Sequence, residues 1–180
     1  MQRIKRTRGG FSLIELLLVV SIIGLFVSIG VTTAQTGQQR ARDTERKETM
    51  KKLQVYLELY RDNNGTYPST GGQWFSSSPN DDDFENNAGN WIPDLAPGYI
   101  PTLPKDPLGG RSKNANPACT VKQDRSYIYF SDGLGYVLLS YCAPERPWTS
   151  TDPFYDPLRP TWAFKVCSPT YCSALSSAEE

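Results

Sequence analysis

The chain has 180 residues, the length of one medium domain, with 19 Lys plus Arg balanced by 19 Asp plus Glu. A formal charge of zero gives no sign of the clustered basic excess of a nucleic-acid binder. Histidine is absent, which excludes Ser-His-Asp or Cys-His catalysis, a histidine metal site and an imidazole switch within this chain. A mean hydropathy of -0.47 with 14 Gly and 14 Pro resembles an ordinary turn-rich protein, but the apolar residues are unevenly spread.

Residues 1–10 carry Arg3, Lys5, Arg6 and Arg8 without an acid and end in Gly9 and Gly10. The apolar run 11–31 follows, FSLIELLLVVSIIGLFVSIGV, broken by one charge, Glu15, and free of proline. As a helix it reaches roughly the 30 Å of a bilayer's hydrocarbon core, so one membrane span is expected. Gly24, Ser28 and Gly30 are small enough to let such helices approach closely. An ordinary secretory signal would place its small cleavage residues after the apolar run; here Gly9 and Gly10 precede it.

After Gln35 the chain turns polar, and Arg42, Glu45, Arg46 and Lys47, then Glu48 four residues before Lys52, have the pattern of an exposed helix. Met50, Leu53, Leu57 and Tyr60 recur at spacings of 3 and 4, giving that helix one apolar face. No breaker appears before Asn63, Asn64 and Gly65. The spacing predicts one helix from 11 to about 62, with an apolar half (11–35) and an amphipathic half (36–64) that packs on the rest of the chain. Asn64-Gly65-Thr66 matches a glycosylation sequon, although Asn-Gly more simply ends the helix.

Residues 65–118 are loop-like, yet Tyr67, Trp74, Phe75, Trp91, Ile92, Leu95, Tyr99 and Ile100 are large enough to anchor the segment to a core. The acidic run Asp81, Asp82, Asp83 and Glu85 lacks the glycine and the closing glutamate of an EF-hand and reads as a solvated loop. Tyr127 to Phe130, a turn at Ser131, Asp132 and Gly133, and Tyr136 to Leu139 spell an antiparallel hairpin. One further strand is expected at 161–166, which makes 65–180 a globular head. Trp74, Trp91, Trp148 and Trp162 either form an adhesive face or pack that head; packing is the plainer reading.

Cys119, Cys142, Cys167 and Cys172 all follow the apolar run. An even count beyond a membrane segment favours disulfides in an oxidising exterior, and of the three possible pairings Cys119 with Cys142 and Cys167 with Cys172 is preferred. Zinc ligation would need closer, CxxC-like spacing.

The string G-F-S-L-I-E-L-L at 10–17, behind a basic leader, resembles the class III signal of type IV pilins and of type II secretion pseudopilins. The resemblance implies that a membrane-embedded prepilin peptidase cuts between Gly10 and Phe11 on the cytoplasmic side and methylates the new Phe11 amine. It also implies that the apolar helix stays in the mature protein. An ionised carboxylate inside a bilayer costs about 2.5 to 3.5 kcal/mol, so Glu15 needs a partner. The Phe11 amine of a staggered neighbouring subunit, cationic near neutral pH, would supply one. The plainer alternative is that Glu15 interacts with its own helix dipole or its own Phe11.

A second resemblance covers ARDTERKETMKKLQVYLELYRDNNGTYP, GYIPTLPKDPLGG and YIYFSDGLGYVLL, whose order and wording are similar to major pseudopilins and related pilins. The implied fold is α+β and type IV pilin-like, a long N-terminal helix with its distal half on a small antiparallel sheet. In that family the neighbourhood of residues 103–109 can accompany calcium, which makes Asp106, Asp124 and Asp132 calcium candidates, although the prolines and Asp106 more simply build turns. No other cofactor is implied.

The implied function is that of a structural subunit rather than an enzyme. It would form a helical homopolymer with itself, with the prepilin peptidase and an inner-membrane assembly platform as partners and no nucleic acid. Before assembly it would be a single-pass membrane protein with its head outside the cytoplasm, and afterwards part of an extracellular filament. A type IV pilus is the first reading. A pseudopilus of a type II secretion or DNA-uptake machine comes second, and a membrane-anchored extracellular binding module is a remote third. Removing residues 1–10 takes away four basic residues, leaving 15 Lys plus Arg against 19 Asp plus Glu, so the mature subunit is mildly acidic.

Overall fold

The computed structural model describes residues 10–79, 84, 89–110, 119 and 124–172, with the side chains of 27–34 excepted. The leader residues 1–9, the acids Asp81 to Asp83 and Glu85, and the side chain of Ser28 lie outside the described residues, as does any packing at Gly30. The chain divides into two compact units, residues 1–38 and 39–180.

Helix α1 runs Leu13–Asn64. The Ser12 carbonyl accepts the backbone N–H of Glu15 (3.1 Å) and of Leu16 (3.2 Å), which puts Ser12 at the N-cap of the helix. At the other end the Gly65 N–H returns to the Arg61 carbonyl at 2.7 Å. Gly65 there has φ +79°, a left-handed C-cap that glycine adopts without a Cβ penalty.

The second unit holds four strands, β1 (Trp74–Ser76), β2 (Ser126–Ser131), β3 (Tyr136–Tyr141) and β4 (Ala163–Cys167). They form one antiparallel sheet in the order β1-β2-β3-β4. In the β2–β3 hairpin Ile128 pairs with Leu139 and Ser131 with Tyr136. Gly133 sits in its turn at φ +92°, and Asp132 accepts the N–H groups of Leu134 (2.9 Å) and Gly135 (3.2 Å).

Alternation along the strands sorts the side chains onto two faces. One face carries Tyr127, Tyr129, Tyr136, Leu138 and Phe164 and packs with Met50, Leu53 and Leu57 of α1 and with Trp91, Ile92 and Leu95. The opposite face carries Ile128, Val137, Leu139 and Tyr141 under Trp74, Phe84, Trp162 and Tyr171. Disulfides Cys119–Cys142 and Cys167–Cys172 lie on that second face. Every residue of β3 is therefore buried, which is why it reads as a continuous apolar run.

Two expectations need correcting. Trp74–Ser76 is a strand inside the segment read as loop; at three residues it is too short to show a period. The charged stretch of α1 is not uniformly exposed, because Arg46 is wholly buried and Asp43 nearly so. Trp91 is buried, while Trp74, Trp148 and Trp162 are half-buried and packed against other rings, so the tryptophans do not build a common adhesive face.

Leu53 has no exposed surface in the α1–sheet core. Leu53→Ala is expected to lower unfolding stability by about 2 to 5 kcal/mol in a denaturant titration.

Candidate functional site

The first unit presents an apolar surface that nothing covers among the described residues. From Phe11 to Phe26 all the large apolar side chains are exposed, from 81% for Leu13 to 44% for Val19. A water-facing patch of this extent marks a surface that associates with lipid or protein. Glu15 is exposed in the first turn of α1, where the positive end of the helix dipole favours a carboxylate. Among the described residues none forms an ion pair with it. Gly10 and Phe11 stand immediately before the helix, both exposed. Among the described residues no helix is long and apolar enough to cross a membrane, the described side chains of the apolar run stopping at Phe26.

The second unit is fastened around Arg46. Its Nε and Nη2 donate to the two oxygens of Asp106 at 2.6 and 3.0 Å, a bidentate pair. Its Nη1 donates to Asp43 (2.8 Å) and to Glu145 (2.9 Å). Arg42 grips Glu145 a second time, Nε to Oε1 at 2.7 Å and Nη2 to Oε2 at 2.6 Å. The Glu145 N–H in turn donates to both Asp43 oxygens at 3.2 Å. Asp106 also accepts from the backbone N–H of Leu108 and Gly109, so the Leu-Pro-Lys-Asp-Pro turn is tied to α1 as well as to itself.

Burial opposes the Arg46 charge, but its bonds to Asp106, Glu145 and Asp43 outweigh it and hold the guanidinium protonated above the usual arginine range. The hydrogen bonds from Arg42 pull the Glu145 carboxyl down to about 2; burial opposes this and Arg46 adds to it. For Asp43 burial dominates and raises its pKa, in spite of the Glu145 N–H and Arg46.

The loop after β3 is secured in the same way further along. Lys47 pairs with Asp152, and its ammonium lies 4.6 Å from the Phe164 ring centre. Buried Asp156 pairs with Arg159 (2.9 Å) and Lys165 (3.1 Å).

The calcium candidates are not brought together. Asp106 is held by Arg46, Asp124 accepts the Ser78 hydroxyl at 2.9 Å, and Asp132 caps the β2–β3 turn. Among the described residues no group of three or more acids or cysteines is arranged to hold a metal ion.

Residues 5–31 match the family model described as the prokaryotic N-terminal methylation motif. Type II secretion system core protein G of Pseudomonas aeruginosa is 33% identical over 111 residues, which cover 61% of this chain and 72% of that protein. The chain belongs to the core protein G family. The core protein G of Dickeya chrysanthemi is 27% identical over 72% of this chain and 82% of its own length. That of Klebsiella pneumoniae is 31% identical over 56% and 69%. No solved structure matches the chain. Within this family of pseudopilins the α+β arrangement of one long helix and an antiparallel sheet is the pilin-like one, and GFSLIE at 10–15 lies inside the methylation motif.

Arg46 and Glu145 carry no signal that marks them in advance, since their partners lie 60 and 99 residues away. The one local hint is Asp43 three residues before Arg46, an i,i+3 pair on one helix face. Arg46→Met would leave Asp43, Asp106 and Glu145 without their shared cation and is expected to cost about 3 to 5 kcal/mol. Arg61→Met, on the surface of the same helix, is expected to leave stability nearly unchanged when both variants are compared by thermal denaturation.

The lowered Glu145 carboxyl also predicts a pH dependence. As pH falls below about 4.5, Glu145 in the unfolded chain takes up a proton before the folded one does. Its contribution is therefore present above that value and lost as pH falls toward about 2, while Asp43, shifted the other way, offsets part of the loss. Denaturant unfolding at successive pH values should show a shallower fall across this window for Glu145→Gln than for the unaltered protein.

Proposed function

We propose that this protein is the repeating subunit of a secretion pseudopilus and performs no chemistry of its own. The observation that carries this reading is the uncovered apolar surface from Phe11 to Phe26, set directly behind Gly10 in a chain whose second unit has its own complete core. A prepilin peptidase removes residues 1–10 and methylates the Phe11 amine. The helix anchors the precursor in the inner membrane with the disulfide-bearing head outside the cytoplasm, and an assembly platform extracts it into the filament. The apolar side chains exchange lipid for other helices on the way, so they stay covered throughout. No resident metal or cofactor takes part.

Glu15 then sets the register. Its carboxylate, in the first turn of one helix, meets the Phe11 amine of the neighbouring subunit, and each neutralises a charge that is costly in an apolar surrounding. The dipole of its own helix helps to keep Glu15 ionised until that partner arrives. The relatives' printed names support secretion rather than a pilus, and that reverses the order drawn from the sequence.

Mass spectrometry of sheared filaments should find an N-terminal peptide beginning with N-methyl-Phe11; an intact Met1, or a cut beyond residue 31, would overturn the reading. Glu15→Ala should be processed normally and yield few or no filaments by electron microscopy, whereas normal filaments from that variant would remove the proposed pairing.

A further inference from the structure

Beside the Arg46 cluster, the second unit holds an open pocket of about 790 Å³. It lies between the start of the amphipathic part of α1, the segment around Gly109 and the loop that follows β3. Three arginines line it, Arg42, Arg125 and Arg146, against one acidic residue, Glu145. That carboxylate is already engaged by Arg42 and by Arg46 from behind the wall. The balance of charge around the pocket is therefore cationic.

Its hydrogen-bonding capacity is equally one-sided. Of the residues that line it, Arg146 and Trp148 each have a buried donor, Nη1 and Nε1, without a hydrogen-bond partner among the described residues. Each is a donor that cannot accept, so only an acceptor can satisfy it. Arg125 donates from Nη1 to the Gly109 carbonyl at 3.1 Å, and burial lowers its pKa, as expected where a cation is partly withdrawn from water. A pocket of this size takes an organic ligand rather than a bare inorganic ion, and its prolines and indole give it rigid apolar walls.

We propose that this pocket binds the carboxylates of an acidic peptide segment, with Arg146 as its principal donor. The source best matched in charge is a second copy of this chain, whose residues 80–87, Asn-Asp-Asp-Asp-Phe-Glu-Asn-Asn, contain its densest run of acids. A contact between different surfaces of identical subunits repeats from copy to copy, as a filament requires. Only this choice of source rests on the filament reading; the site itself does not.

The test uses the full mature chain dispersed in detergent and a fluorescent, end-blocked peptide of residues 80–87, followed by anisotropy at low ionic strength. Saturable binding is expected. Arg146→Gln should weaken it by about tenfold or more, the scale of one charge-assisted hydrogen bond, and Arg146→Lys should restore part of it. Unchanged melting temperatures in both variants would show that the fold is intact. The same peptide with each Asp and Glu replaced by Asn and Gln should not bind. Absence of binding, or equal binding by Arg146→Gln, would overturn the proposal. Citrate that binds where the peptide does not would replace the peptide with a small-molecule ligand and overturn the assignment of partner. Because the chain is dispersed, failure here leaves the filament reading untouched, and a defect in assembly does not affect this measurement.

Discussion

The second unit depends on one buried cation. Arg46 gathers carboxylates from three places, Asp43 on its own helix, Asp106 in the turn before the hairpin and Glu145 in the loop after it. A guanidinium with no exposed surface is tolerable only because its N–H fork is matched by acceptors in fixed positions. The same requirement dictates where those acceptors stand. The Leu-Pro-Lys-Asp-Pro turn and the start of the post-β3 loop are thereby held to α1 by directional bonds, while Met50, Leu53 and Leu57 supply the non-directional part of the contact. Apolar packing alone would permit some sliding of the helix over the sheet; a bidentate Arg–Asp pair does not.

This division of labour explains how a head with long irregular segments keeps a definite shape. One sheet face is closed by the helix and the Trp91–Leu95 segment, the other by loops tethered through Cys119–Cys142 and Cys167–Cys172. The post-β3 loop is secured by ion pairs at Glu145, Asp152 and Asp156, so its acids are neutralised from within the chain. The first unit has no comparable internal economy. Among the described residues nothing covers its apolar side chains, and this contrast between a self-contained head and an uncovered N-terminal segment underlies the filament reading.

Much of the fold was legible because it rests on local rules. Spacings of 3 and 4 from Met50 to Tyr60 mark the buried face of α1, aromatic and branched residues around Ser131-Asp132-Gly133 mark the hairpin, and Asn64-Gly65 marks the helix end. The Gly10-Phe11 junction with Glu15 is legible for the same reason, since six consecutive residues carry it. What stayed hidden depends on partners distant in the chain. A charged run on a helix reads as solvent-facing, and nothing local distinguishes the buried Arg46 from the half-exposed Arg42 four residues earlier. The pocket beside Arg146 is assembled from several separate segments and has no signature in any of them. Strand β1 escapes notice because three residues complete neither an alternation nor a turn-to-turn span.

The order of strands has a consequence for the kind of polymer this protein can make. An open antiparallel sheet has two free edges, and an unprotected edge recruits other chains by backbone pairing. Here the β1 edge offers only three residues, and the outer edge of β4 is already partly occupied: Tyr155 bridges to Phe164, and the Lys165 N–H donates to the Phe154 carbonyl at 2.9 Å. Such blunted margins leave the head poorly suited to stacking as cross-β ribbon. Ordered contacts between copies are thereby left to side chains rather than to free backbone N–H and C=O groups.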